Sequence, residues 1–148
     1  EREAEVSTAN SGVLEDVRIG IRFKISALWI AMLFLFAYGD IFGFFQPGQI
    51  EEVSAGEISG IEITQGFLLA ISVYIAIASA MVFLTLVLAP NAARWTNVVL
   101  AVLYIASIVA AAIGESAYYW FLSTAEIVAL VLIIWYAWTL ARDDASAA

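Results

Sequence analysis

Two carboxylates stand where an oily sequence has little use for them. Asp40 lies within FAYGDIFGFF (36–45), a run of aromatics and glycines, and Glu126 follows YYWFLSTA (118–125). A carboxylate inside a membrane costs about 2–3 kcal/mol on insertion scales, and the short Asp side chain cannot reach far toward water. Asp40 must therefore face the interior of a helix bundle, where it is protonated, paired with a hydroxyl, or wetted by a pocket. Two roles fit: a proton- or cation-binding group or ligand anchor, and an interhelical hydrogen bond that only fixes packing. Glu126 carries its own pair of readings. Ser123-Thr124-Ala125-Glu126 matches the S-x-x-E capping box that opens a helix, which would leave Glu126 shallow. If the helix instead runs unbroken from about residue 117, Glu126 lies some nine residues, roughly 13 Å, inside it.

Hydroxyls at comparable depth complete the set. Tyr38, Tyr74 and Tyr104, with Ser107 and Thr124, could line a polar, aromatic pocket with the two acids; tyrosines of this kind also serve ordinary packing. No histidine and no cysteine is present. Disulfides, thiol chemistry, Cys/His zinc sites and histidine-ligated haem are thereby excluded. No catalytic motif is recognisable, and no cofactor or metal is expected. The only lysine, Lys24, lies at a helix entrance, away from any Schiff-base position in mid-span.

The elements that must position these groups are long apolar helices. Of 148 residues, 64% are apolar and 14% charged, well above the apolar share of soluble domains. Four runs are long enough to cross a bilayer, at about 25–45, 64–88, 92–113 and 117–140. They are punctuated by Gln46-Pro47-Gly48, by Pro90 with Asn91 as N-cap, by Gly114, and by Arg142-Asp143-Asp144. The expected fold is an all-α, antiparallel bundle of four transmembrane helices. It forms one domain over 13–141, between a polar N-terminal tail (1–12) and a C-terminal tail (142–148). The link at Ala89-Pro90-Asn91 is short enough to make spans two and three a tight hairpin.

Basic residues set the orientation. Arg18, Arg22 and Lys24 precede span one, Arg94 follows the second-to-third turn, and Arg142 follows span four, while 46–63 and 114–116 carry no cation. The positive-inside rule then places both termini in the cytoplasm. Trp29, Trp95, Trp135 and Trp138 would mark the inner boundary, and Phe44, Phe45, Tyr118, Tyr119 and Trp120 the outer one. The stretch 17–25 reads as an interfacial anchor or the start of span one. Glu51, Glu52, Glu57 and Glu62 make the outer loop acidic, as a cation-focusing mouth or a plain solvated surface. The net charge of −8 argues against a nucleic-acid partner.

Helices in lipid associate through close contact and polar links. Small residues spaced for contact occur in every span: Ala27, Ala31, Gly39 and Gly43; Ser72, Ala76 and Ala80; Ala106, Ala110 and Gly114; Ala125 and Ala129. The Gly39/Gly43 pair is also a candidate contact between two copies of the chain.

SALWIAMLFLFAYGDIFGFFQPG (26–48), ITQGFLLA (63–70), LTLVLAP (84–90), ARWTN (93–97) and YYWFLSTAEIV (118–128) together resemble a family of uncharacterised prokaryotic four-helix membrane proteins, classed as a domain of unknown function. The resemblance spans about 13–141. It implies a four-span fold in a prokaryotic cell membrane and no established activity. Three functions remain open: a protein that binds or transports a proton, cation or small molecule around Asp40 and Glu126; a non-catalytic structural or accessory subunit; and, least supported by the residues, an intramembrane enzyme.

Overall fold

A computed structural model describes residues 19–146, with side chains as far as Leu140. The tail expected at 1–12 and the side chains of Arg18 and Arg142 lie outside the described residues. Four long helices make up most of the chain: α1 (Ile21–Gly43), α3 (Gln65–Val87), α4 (Pro90–Ala111) and α5 (Ala117–Ser146). Between α1 and α3 lie a short helix, α2 (Gln49–Ser54), and a hairpin of β1 (Glu57–Ile58) and β2 (Ile61–Glu62). All four long helices are long and apolar enough to cross a membrane.

Local chemistry sets the helix ends, and some differ from expectation. Pro90 occupies the first turn of α4 and Ala89 is its N-cap, so Asn91 is not the cap; proline's fixed φ and missing N–H suit that position. Thr64 caps α3, its Oγ1 accepting from the Phe67 N–H at 3.1 Å. The α1 helix ends at Gly43 rather than Phe45, where the chain tightens into successive turns bonded three residues back, Phe44 to Ile41 and Phe45 to Phe42. At the other extreme α5 runs on through Arg142-Asp143-Asp144 to Ser146. Charged residues stop a membrane crossing, but without glycine or proline they do not stop a helix. The loop 46–63 is structured as well. Its hairpin turns at Ser59-Gly60, where both residues have positive φ (50° and 76°), the signature of a tight type I′ turn.

Contacts across the helices fix an antiparallel arrangement. The start of α1 bonds the end of α3, the start of α4 meets the end of α5 at Trp95 and Trp138, and Gln46 beyond α1 bonds Ser116 before α5. Helix α5 packs broadly on α1 and α4, and α1 on α3; α3 and α4, though consecutive, touch much less. They are held apart by Tyr74 and Tyr104, whose rings stack at 4.4 Å.

The interior is not where the small residues pointed. Ala27, Ala31, Ser72, Ala76, Ala80, Ala106, Ala110 and Gly114 are exposed on the outside of the bundle. The core is instead Ile25, Trp29 and Met32 of α1, Ala78 and Met81 of α3, Ala101, Tyr104 and Ile108 of α4, and Ala129, Leu130, Ile133 and Ala137 of α5. A helix apolar all round shows no favoured face in its sequence, so a stripe of small residues does not identify the contact side. Large side chains such as Trp29 and Met81 and small ones such as Ala78 and Ala101 share this core. Gly39 and Gly43 do turn inward, toward α5 of the same chain. A methyl at Gly39 would lie 3.7 Å from Leu122 Cδ1, and one at Gly43 would lie 3.7 Å from the Tyr118 hydroxyl. Both are ordinary side-chain contacts, looser than a backbone-on-backbone crossing.

Candidate functional site

The helices gather their polar groups at two ends of opposite character. At the basic end, side chains close on one another. Asn97 is fully buried; its Oδ1 accepts from Trp29 Nε1 at 2.7 Å and Thr85 Oγ1 at 3.1 Å, and its Nδ2 donates to the Ala93 carbonyl at 2.7 Å. Ser26 donates to the Val82 carbonyl. Arg22 donates to the Leu86 and Leu88 carbonyls at 3.1 and 2.7 Å, and so caps the negative end of α3. The Arg94 guanidinium lies 4.0 Å over Trp138 and 5.6 Å over Trp95, and Lys24 lies over Tyr136. Trp29, expected at the membrane boundary, is thus a core residue. Its indole N–H needs a buried acceptor, and Asn97 supplies it.

A middle layer joins α3 to α4. Ser107 donates to the Tyr104 carbonyl at 2.8 Å, so Tyr74 must be the donor in its 2.7 Å bond to Ser107, and the Tyr104 hydroxyl donates to the Tyr74 carbonyl. This is a closed ring of bonds with every hydroxyl proton used. Phe36 packs on Tyr74, Tyr74 on Tyr104, and Tyr104 on Trp29. The four rings form a continuous aromatic column down the bundle.

Beyond that column, at the acidic end, the helices enclose a cavity of about 500 Å³. Gly39, Asp40, Gly43 and Phe44 of the α1 end form one wall; Phe67, Leu68 and Ile71 of α3 form another. Tyr118 and Tyr119 of α5, with Glu115, form the third, and Gln49, Val53, Ile58, Ser59 and Ile63 of the connecting segment roof it. The lining is mostly apolar and aromatic. Asp40 sits in the last turn of α1 with its side chain exposed to this space. It stands at the negative pole of its own helix, where a cation rather than an anion is favoured. Gln46 Nε2 donates to Ser116 Oγ at 2.8 Å and ties the roof to the start of α5.

Glu126 belongs to an unbroken helix. Helix α5 starts nine residues before it, so Ser123 lies inside the helix and opens no capping box, and Thr124 Oγ1 donates back to the Trp120 carbonyl. Glu126 is only 5% exposed, yet it has no hydrogen-bond partner among the described residues. It lies two turns along α5 from Tyr119, on the same face. Every cation among the described residues, Arg22, Lys24 and Arg94, is at the other end.

Of the five residues singled out in the sequence, Asp40 alone lines the cavity, and Glu126 is buried on α5 outside that lining. Tyr38 departs from the expected pocket: it is 51% exposed on the outside of α1, stacked on Phe42. Tyr74 and Tyr104 lie in the packed middle layer, outside the cavity lining. What the sequence reading missed is Phe67 and the roof, whose residues carry no motif, and the inward role of Tyr118 and Tyr119. Among the described residues no group of three or more His, Cys, Asp or Glu side chains could hold a metal ion.

No curated protein and no solved structure matches the chain. A family model described as a family of unknown function (DUF6326) matches residues 19–147, so the chain belongs to that family.

Proposed function

We propose that this protein is a multi-pass membrane protein that binds a small molecule or ion in the cavity at its acidic end, with Asp40 as the anchor. The reading places the basic end and both termini in the cytoplasm, because Arg22, Lys24 and Arg94 collect there with Trp95 and Trp138 beside them. The cavity then faces outward, and the aromatic column separates it from the cytoplasmic side. The observation that carries the reading is a carboxylate presented to a cavity of about 500 Å³ with no cation near it. Volumes of about 300–1,000 Å³ are typical of small-molecule sites. A structural role for Asp40 would require a partner within the fold, and Asp40 has none among the described residues.

The test is ligand-linked stability. A ligand at 100 times its Kd raises unfolding free energy by about 2.7 kcal/mol. Melting of the nanodisc-reconstituted protein, screened against inorganic cations, amines and neutral solutes, should show at least one compound that stabilises the wild type and loses that effect in Asp40→Asn. If no compound separates the two proteins, Asp40 is an accessory of packing and the binding reading fails.

A further inference from the structure

We infer that the occupant of this cavity is an organic ammonium bearing an apolar body, rather than a metal ion or a neutral solute. The inference rests on the reading of the cavity as a binding site and adds the chemical class.

Four observations carry it. First, Asp40 stands at the negative pole of α1, and Glu115 lines another wall of the same cavity, so the local field favours a cation and repels an anion. Second, Glu126 is nineteen-twentieths buried without a hydrogen-bond partner among the described residues, on the same face of α5 as Tyr119 of the cavity wall. An unpaired buried carboxylate is costly, and a cation held in the adjoining space lowers that cost. Third, a hard metal ion wants six or more oxygens, or several carboxylates converging on one point, and no such group exists among the described residues. Fourth, apart from Gln49 and Ser59 in the roof, the rest of the lining is mostly ring and hydrocarbon, Phe44, Phe67, Leu68, Tyr118 and Tyr119 among it. Aromatic faces attract ammonium groups directly and shelter an apolar substituent from water. A bare proton would need none of this space.

The experiment uses the full chain in nanodiscs and three chloride salts: benzyltrimethylammonium, tetramethylammonium and calcium. Affinities are measured by isothermal titration on the wild type, Asp40→Asn, Glu126→Gln and Tyr119→Leu, each first checked for helix content and cooperative melting. Benzyltrimethylammonium should bind about tenfold or more tightly than tetramethylammonium, because only the former fills the apolar wall. Asp40→Asn should weaken it about tenfold or more, and Glu126→Gln and Tyr119→Leu by about threefold to tenfold. Equal binding of the two ammonium salts would overturn the inference while leaving Asp40 as an anchor. Asp40-dependent calcium binding without ammonium binding would do the same. If no cation distinguishes wild type from Asp40→Asn, the binding reading falls together with the inference.

Discussion

The two ends of the bundle use polar side chains in opposite ways. At the basic end Asn97 makes three side-chain hydrogen bonds, Trp29, Thr85 and Ser26 are satisfied, and Arg22 caps a helix. Most of the polar groups there are paired and hold the helices together, although Arg94 Nε is buried without a hydrogen-bond partner. At the acidic end Asp40 and Glu126 have no partners among the described residues, and the helices part around a cavity. Polar groups that stabilise a fold are paired within it. Those left unpaired cost stability, and their retention points to something the fold does with them. Acids at one end and cations at the other could have paired, but the bundle keeps them apart along its full length.

Three substitutions would sharpen or break that contrast. Asn97→Ala should cost the most, about 2–3 kcal/mol, since it strands the Trp29 indole N–H and the Thr85 hydroxyl away from water; denaturant titration in mixed micelles measures it, and a cost under about 0.5 kcal/mol would mean the triad is not a structural pin. Glu126→Leu should act in the other direction. It removes a buried, unpaired carboxyl and is expected to raise unfolding free energy by about 1–2 kcal/mol while weakening ligand binding. A loss of stability instead would assign Glu126 to packing. Gly39→Ala should have the smallest effect, a gain of about 0.5–1 kcal/mol, because a helical glycine costs that much relative to alanine and the new methyl has room beside Leu122. Loss of folding in Gly39→Ala would mean that α1 and α5 approach more closely than 3.7 Å implies.

Much of this architecture was legible in the sequence. Four apolar runs located the helices to within a few residues, since hydrocarbon thickness dictates their length, and the clustering of cations identified one end. The acids stood out because charge in an apolar run has a large free-energy cost. Facing was harder to read. Small residues such as Ala76 and Ala106 mark a contact surface only if the other faces are polar, and here every face is apolar. The tyrosines failed as a group for a related reason: depth along a helix is readable, but direction around it is not, so Tyr38 and Tyr74 fell on different sides. The triad at Asn97 did leave a signal, an amide eight residues into a largely apolar helix. The roof left none, because α2 and the hairpin are too short for periodicity to show.

The most direct test of the central contrast uses one helix and the natural absence of cysteine. Phe67 and Thr85 each lie third from an end of α3, the first lining the cavity and the second fully buried in the basic half. With membrane-impermeant, cationic methanethiosulfonate reagent applied to both faces of reconstituted protein, Phe67→Cys should react readily and be protected by benzyltrimethylammonium, while Thr85→Cys stays inert. Equal reactivity at the two positions, or an unreactive cysteine at 67, would contradict the picture of one open end and one closed.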